Sequence, residues 1–247
     1  MKTLLALLAF STLTLAATAK VTETFSQTYP LSATGTIRLE NANGSVEIIA
    51  WDKNEVALEA EKNARDAEGL ARLTLKIEST PERLAIKTVY TRKWKLFENA
   101  NAHVRYKLMV PAGVTLDKID VVNATIRVTG IKGSVNLDTV NGNIDAKDLA
   151  GAGIFDTVNG SINVAYATLP AGEISLDTVN GSCKVTLPAQ AAFRVDADTV
   201  NGRTHCEFPI TLEKSGKHDL RGTVNGGGST LVKLDSVNGS LTIAQAK

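Results

Sequence analysis

Asp156-Thr157-Val158-Asn159-Gly160 is the stretch that decides the fold, because the chain returns to it repeatedly. Close copies occupy 138–142, 177–181, 198–202, 222–226 and 235–239, and weaker copies occupy 120–124 and 41–44. Counted from residue 119 onward, the copies carry the asparagines Asn123, Asn141, Asn159, Asn180, Asn201, Asn225 and Asn238. Such internal repetition predicts an architecture in which each copy contributes one structural unit.

Apolar and polar residues alternate on both sides of each Asn-Gly pair. Downstream of Asn159, the third and fifth residues are the apolar Ile162 and Val164, and the residue between them is polar. Upstream, Phe155 and Thr157 continue the same alternation. Because side chains of a strand alternate between its two faces, the pattern predicts a half-buried strand on each side of every copy.

The predicted fold class is all-β, a parallel β-solenoid with an N-terminal antiparallel β section that caps it. A stack of Asn-Gly hairpins is the alternative, since Asn-Gly between alternating runs also indicates a tight hairpin turn. Repetition of the asparagine itself favours the solenoid, because stacked coils place equivalent residues about 4.8 Å apart, where amides can form a hydrogen-bonded ladder. The seven asparagines of the repeats are the predicted ladder, with buried amides.

The other residues of the motif receive structural roles. We expect the glycine to supply a positive φ at the corner of the coil, and the aspartate to accept backbone N–H groups in a turn. The valine before each asparagine is expected to turn inward at the corner. Asn238 follows Asn225 by only 13 positions, so the last coil is predicted to be incomplete and to close the end of the solenoid.

Three segments are predicted along the chain. Residues 1–19 read as a signal peptide, residues 20–118 as an N-terminal β section with the first repeat corner at Asn43, and residues 119–247 as the repeat solenoid. Within the N-terminal section, alternation predicts strands at 37–39, 56–60, 73–77, 84–90 and 104–110, and 66–70 could form one helical turn.

The first residues predict export. Lys2 precedes an apolar run that ends at Ala17-Thr18-Ala19, the three parts of a secretory signal peptide. The run is interrupted by Ser11, Thr12 and Thr14, whereas a membrane-spanning helix needs about 20 apolar residues. We therefore expect a mature chain that begins near Lys20, lacks a transmembrane segment, and lies in the periplasm, at the cell surface or outside the cell.

Composition excludes several classes of function. Lys and Arg total 27 against 26 Asp and Glu, a net charge of +1, which argues against a polybasic nucleic-acid binder. Aromatic residues make up 5% of the chain, too few to pave a stacking platform or a sugar cleft. The core is therefore expected to be aliphatic, and no nucleic-acid partner is predicted.

No catalytic, cofactor-binding or metal-ligating residue is predicted. The recurring aspartates could hold Ca²⁺ only if they converged, and turn capping explains them better. The histidines share no ligand spacing; they are His103, His205 and His218. A polysaccharide lyase would need a basic residue to abstract a proton, and the outward candidates are scattered along the chain; they are Arg127, Lys184, Arg194 and Arg203.

Cys183 and Cys206 are the only cysteines and fall at inward positions of consecutive copies. Strict register sets them diagonally, beyond the usual disulfide span. The longer interval after Asn201 and the irregular Arg203-Thr204 leave room for a shift that aligns the sulfurs. We expect a disulfide slightly more than two buried free thiols, since exported proteins meet an oxidising environment.

These features resemble the bacterial putative-adhesin family with DUF4097-type β-strand repeats. The likeness rests on an exported chain, an early Asn43-Gly-Ser-Val-Glu-Ile48, a Val110-Pro-Ala-Gly-Val-Thr-Leu116 hinge and the Thr-Val-Asn-Gly copies. It implies a non-enzymatic β-repeat protein of the cell envelope, an adhesin or binding scaffold for an unknown protein or polysaccharide ligand, without a cofactor. Alternatives are a periplasmic accessory of envelope-stress signalling and, less favoured, a polysaccharide-active β-helix enzyme.

Overall fold

The computed structural model describes residues 20–91 and 102–247, and the predicted signal peptide lies outside these residues. The described chain contains one short helix, α1 (Ala67–Ala71). Its strands are β1 (Val21–Pro30), β2 (Thr36–Trp51), β3 (Glu55–Ala64), β4 (Leu73–Ser79), β5 (Arg83–Tyr90), β6 (His103–Pro111), β7 (Thr115–Thr129), β8 (Val135–Asn141), β9 (Ile144–Leu149), β10 (Gly153–Asn159), β11 (Ile162–Tyr166), β12 (Gly172–Asn180), β13 (Cys183–Leu187), β14 (Phe193–Asn201), β15 (Thr204–Cys206), β16 (Ile210–Ser215), β17 (Asp219–Val224), β18 (Thr230–Asn238) and β19 (Leu241–Gln245). The predicted all-β class is confirmed, and no helix in the described ranges has the length and apolar character needed to cross a bilayer.

The two strands that flank an Asn-Gly pair bond to the equivalent strands of neighbouring copies. Before the corner at Asn159, β10 pairs in parallel with β8 and β12. After it, β11 pairs in parallel with β9 and β13. We call the strands before the corners the upstream sheet and those after them the downstream sheet; β2 and β7 run through both. Each such Asn-Gly is thus a corner between two rows of parallel strands.

The copies are not stacked in the order of the chain. The last one, β18 and β19, lies between the copy of β12 and β13 and the copy of β14 and β15. The prediction that the C-terminal coil closes the stack is therefore wrong. After β15 the chain leaves the stack as an excursion that includes β16 and β17, and it then returns as β18 to fill the space beside β12.

The excursion itself covers the end of the stack. Strands β16 and β17 pair antiparallel, and β17 also pairs antiparallel with β14. Phe208 packs edge-on against Phe193 with 5.3 Å between the ring centroids. The backbone N–H and C=O groups at the free edge of β14 thus bond to β17, which runs antiparallel to the repeat strands. This pairing protects the edge of the sheet from pairing with another chain.

The N-terminal section is joined to the first corner of the stack. β2 carries Asn43 and pairs in parallel with β7 through both sheets. It also pairs in parallel with β5 and β6, while β1 with β3, β3 with β6, and β4 with β5 pair antiparallel. The predicted boundary between residues 118 and 119 falls inside β7, so the hydrogen-bonded sheet is continuous across it.

The predicted N-terminal strands and helical turn are confirmed as β2 to β6 and α1. Asp66 caps the helix by accepting the backbone N–H of Gly69 at 2.7 Å. Strand β1 was not predicted, because most of its side chains are exposed and only two aromatic side chains, Phe25 and Tyr29, pack against the core.

The core lies between the two sheets. Phe155 and Leu176 of the upstream sheet and Ile162 and Val185 of the downstream sheet are fully buried. Each buried side chain of this kind stabilises the fold by roughly 1.5 to 3 kcal/mol relative to exposure. The apolar positions that alternation predicted to face inward on each side of the motif are therefore the ones that form the core.

Candidate functional site

The corner asparagines form a chain of side-chain hydrogen bonds along the stack. Each side-chain amide N–H donates to the side-chain carbonyl oxygen of the asparagine before it in the stack, at 2.8 to 2.9 Å. In spatial order the ladder runs Asn43, Asn123, Asn141, Asn159, Asn180, Asn238, Asn201. The amides after residue 119 are exposed to solvent rather than buried, so the ladder is an outer feature of the molecule.

Asn225 lies outside this chain of hydrogen bonds. It follows β17, which runs antiparallel to the repeats, and its amide donates to the carbonyl oxygen of Ala191 at 2.8 Å. Its φ of 50° places it in the left-handed region, followed by Gly226 and Gly227 at positive φ. The prediction that Asn225 is a ladder residue is therefore wrong: this copy forms the turn through which the chain re-enters the stack.

The glycine of each corner has a different role from the predicted one. Only Gly44 has a positive φ among the ladder corners. A Cβ on Gly142, Gly160 or Gly181 would lie 1.8 to 1.9 Å from the carbonyl oxygen of the neighbouring corner. Glycine is therefore required by the close approach of two backbones rather than by local chain reversal.

The threonine two residues before each asparagine contributes a hydrogen bond that the sequence reasoning missed. Thr157 Oγ1 donates to the carbonyl oxygen of Gly142, and Thr178 Oγ1 to that of Gly160, both at 3.1 Å. Ser236 makes the same bond to Gly181. The recurrence of a hydroxyl at an otherwise apolar inward position is the signal that could have revealed it.

Replacement of Asn180 by alanine should lower the free energy of unfolding by about 1 kcal/mol. Asn180 donates to Asn159 and accepts from Asn238. Water can satisfy the two remaining amides because the ladder is exposed, which keeps the cost below that of a buried unpaired group. Urea unfolding measures it, with Asn136→Ala, a partly exposed asparagine outside the ladder, as control. Equal losses in both variants would contradict a ladder contribution.

The structure keeps the two cysteines apart as free thiols. Strand β19 lies between them, because Cys183 is in register with Leu241 and Cys206 with Ile243. Two strand spacings amount to about 9.6 Å, beyond the reach of a disulfide. Burial raises the pKa of the Cys183 thiol to about 12. The expected disulfide is therefore contradicted, and the insertion of the last copy is the reason.

The recurring aspartates stand in one row on the outer surface of the upstream sheet. This aspartate column consists, in spatial order, of Asp120, Asp138, Asp156, Asp177, Asp235 and Asp198. Burial, together with the charges of Asp177 and Asp138, raises the pKa of Asp156 to about 6. Burial likewise raises the pKa of Asp138 and of Asp177, each with an aspartate neighbour adding to the effect.

The valines before the asparagines point outward, contrary to the prediction that they turn inward. This valine column lies beside the aspartate column, since the preceding threonine occupies the inward position and the strand still alternates. Its members expose 38 to 63% of their surface and are, in spatial order, Val122, Val140, Val158, Val179, Val237 and Val200. The corresponding Val224 of the divergent copy is fully buried instead, because it ends the antiparallel strand β17 and pairs with the inward-facing Phe193.

A groove of about 520 Å³ lies on the outer surface of the downstream sheet. Adjacent strands place polar side chains in register along its floor. This charged-groove row runs Glu47, Arg127, Asp145, Asn163, Lys184. Lys147, Thr129 and Thr186 line a second row. The first row spans about 19 Å over four strand spacings, and it offers charges of both signs together with amide and hydroxyl groups.

Of the basic residues considered for proton abstraction, the groove brings together Arg127 and Lys184 only. Asp145 and Asn163 stand between them, and Asn163 donates to Asp145 at 3.2 Å. Arg194 belongs to the upstream sheet and Arg203 to a corner. Within residues 20–91 and 102–247, no three His, Cys, Asp or Glu side chains are arranged to hold a metal ion.

Comparison with known proteins agrees with this architecture. Residues 112–244, more than half of the chain, match the model of the family described as Toastrack DUF4097. A solved structure of a putative cell adhesion protein from Clostridium sporogenes is similar at a TM-score of 0.50 and 11% identity, over 92% of this chain and 100% of that one. A putative adhesin from Bacteroides fragilis aligns at a TM-score of 0.41 and 12% identity, over 91% and 97%.

At such low identity these likenesses concern the fold alone. None of the curated proteins matches the chain significantly. The family match covers the hinge from Ala112 onward and every Thr-Val-Asn-Gly copy, and these copies build most of the parallel stack. The chain belongs to the Toastrack DUF4097 family.

Proposed function

We propose that the protein is a non-enzymatic, exported binding scaffold of the cell envelope that holds a linear acidic polysaccharide in its charged groove. The observation that carries this proposal is the in-register row from Glu47 to Lys184, which repeats a polar position at every strand spacing. A polymer with its own regular repeat can make similar contacts with successive strands. This is the kind of extended surface that stacked repeats provide.

The groups in the groove suit carboxylated sugars. Arg127, Lys147 and Lys184 can pair with uronate carboxylates, and the fork of Arg127 favours two hydrogen bonds to one carboxylate. Asn163 and Thr129 supply an amide and a hydroxyl for sugar hydroxyls. Glu47 and Asp145 would accept hydrogen bonds from sugar hydroxyls and would disfavour polysaccharides that place a carboxylate against every strand of the groove.

Export and an adhesion role are parts of the same proposal. The signal-peptide pattern at 1–19 supports export, and the name of the similar structure from Clostridium sporogenes fits adhesion. The separation of Arg127 from Lys184 by two other side chains supports binding over a lyase reaction. A role as an accessory of envelope-stress signalling would require a protein partner, for which the outer surface of the upstream sheet is the better candidate.

Binding of alginate and polygalacturonate oligomers to the mature chain tests the proposal. We expect the double variant Arg127→Gln, Lys184→Gln to weaken binding at least about fivefold, since each exposed charge pair contributes up to about 1 kcal/mol. Added salt should weaken wild-type binding for the same reason. Isothermal titration calorimetry measures both effects.

The matched control is Lys217→Gln, which removes an exposed lysine far along the chain from the groove. It should bind the oligomers as the wild type does. Equal weakening by Lys217→Gln would indicate unspecific attraction by surface charge and would contradict a groove site. Binding of neutral dextran as tight as that of alginate would also contradict it.

A further inference from the structure

The valine column is an apolar surface that no described residue of the chain covers. Its six members stand on adjacent strands, so they form a continuous row of about 24 Å over five strand spacings. Single exposed valines are ordinary on a protein surface, whereas contiguous apolar rows mark sites of interaction.

Beside the middle of the row stand aspartates that form no direct ion pair among the described residues. Lys118 Nζ lies 3.2 Å from Asp120, and Lys233 Nζ lies 2.9 Å from Asp235. In the described part of the chain, the three aspartates between them have no ion pair, and these are Asp138, Asp156 and Asp177. Ser175 offers Asp177 a hydrogen bond at 3.2 Å, but it carries no charge.

The other side of the central aspartate is apolar as well. Ile154 exposes 47% of its surface and precedes Asp156 by two residues on the same face of β10. Asp156 is thus flanked along its strand by Ile154 and Val158. The surface combines an apolar row with carboxylates that the charges of Lys118 and Lys233 reach only from beyond ion-pair distance. Its complement is a partner with an apolar row and a basic row.

We propose that the valine column and the aspartate column together are a docking surface for a basic amphipathic helix of a partner protein. Apolar side chains of the helix would cover Val140, Val158 and Val179, and its Lys or Arg side chains would face the central aspartates. A helix rises 1.5 Å per residue, so about 16 residues match the length of the column. A second copy of this chain fits less well, because it would bring another row of carboxylates.

The site is distinct from the charged groove, which lies on the downstream sheet. Docking through both columns would remove apolar surface from water and neutralise carboxylates that repel one another. The helix would lie along the stack and across the strands, and it would leave the backbone hydrogen bonds of the sheet unchanged.

Binding of synthetic 16-residue peptides tests the proposal on the full mature chain. The probes are an amphipathic Leu/Lys helix, a Leu/Glu helix of the same pattern, and a scrambled Leu/Lys peptide. We expect the first to bind, and the other two to bind at least about tenfold more weakly, which corresponds to about 1.4 kcal/mol. Fluorescence anisotropy of labelled peptides measures the affinities.

Two variants separate the contributions of the columns. Val158→Thr with Val179→Thr keeps strand-compatible residues but removes apolar surface, and Asp156→Asn with Asp177→Asn removes charge. Each double variant should weaken binding of the Leu/Lys peptide at least about fivefold. Two controls should leave this binding unchanged: Glu213→Gln on β16 and the groove variant Arg127→Gln, Lys184→Gln. Unchanged circular dichroism spectra would establish that all variants are folded.

Several results would overturn the docking surface. Wild-type affinity of the valine variant, or equal binding of the scrambled peptide, would indicate charge attraction alone. Self-association in analytical ultracentrifugation that the valine variant abolishes would assign the column to a second copy. Loss of alginate binding with retained peptide binding would reject the proposed function while leaving this inference in place.

Discussion

Replacement of Gly181 by alanine should lower the free energy of unfolding by about 3 kcal/mol or more. A Cβ at this position would lie 1.8 Å from the carbonyl oxygen of Gly160 and 2.5 Å from its carbon. Both are backbone atoms and cannot rotate away, so the two coils would have to separate. That movement would also strain the hydrogen bonds from Asn180 to Asn159 and from Thr178 to Gly160.

Urea unfolding followed by circular dichroism measures the loss. Ala124→Gly is the matched control, because it makes the reverse change at the same position of the corner at Asn123. It should cost no more than about 1 kcal/mol, the ordinary penalty of glycine in a strand. A Gly181→Ala variant as stable as the wild type would contradict the close contact between the corners.

Acidification from pH 8 to pH 5 should raise the unfolding temperature, and Asp156→Asn should reduce this rise. Asp156 has a pKa of about 6 in the folded chain against an ordinary value of 3.8. The folded state therefore holds the proton more tightly than the unfolded state. Its stabilising contribution is complete below about pH 3.8 and is lost as the pH rises through 6.

Asp138 and Asp177 act in the same direction, because burial also raises the pKa of each carboxyl. Allowing for solvent screening of these partly exposed groups, we expect the wild type to gain roughly 5 °C between pH 8 and pH 5. At pH 8, Asp156→Asn should unfold at a higher temperature than the wild type.

Differential scanning calorimetry at the two pH values measures these shifts. Asp52→Asn, at an exposed position outside the column, should leave the difference between pH 8 and pH 5 unchanged. A wild type whose unfolding temperature falls steadily from pH 8 to pH 5 would contradict the account of the column. An Asp156→Asn variant with the full wild-type response would do so too.

The sequence predicted those features that depend on neighbouring residues within one copy. Inward Phe155 and Ile162, the outward polar position of Asn163 and the corner at Asn159 all follow from alternation around the motif. The hydrogen bonds between asparagines could also be predicted, because the same residue type recurs at the same position of each copy. The glycine was correctly placed at the corner, but it was explained by a positive φ rather than by the close approach of two coils. That contact lies between copies, so the pattern of a single copy does not reveal it.

The order of the coils could not be predicted from the motif. Every copy presents the same columns, so the copy of Asn238 would make equivalent contacts beside Asn180 or beyond Asn201. The position of this copy depends on the hairpin of β16 and β17, which pairs with the free edge of β14. It also depends on the turn from Asn225 to Gly227. The disulfide prediction failed for the same reason, because it assumed that consecutive copies are neighbours.

The groove and the docking surface depend on this order as well. Glu47, Arg127 and Asp145 come from copies separated by up to 98 positions of sequence, and only the register brings them into one row. Similarly, Asp235 stands between Asp177 and Asp198 although it is the last of the aspartates in the chain. Repeat sequences reveal which positions face outward, but the neighbours of each position follow from the stacking.

Engineered disulfides test the stacking order most directly. In a chain with Cys183→Ala and Cys206→Ser, the pair Ser182→Cys, Ser240→Cys joins adjacent corners, since Ser240 N donates to Ser182 Oγ at 3.2 Å. The pair Ser182→Cys, Arg203→Cys spans two strand spacings, about 9.6 Å, because Leu241 beside Ser240 bonds to Arg203. Non-reducing peptide mapping after mild oxidation should find that the bond between positions 182 and 240 forms rapidly and that the bond between 182 and 203 is absent. Rapid formation of the 182–203 bond without the 182–240 bond would contradict the insertion of the last copy.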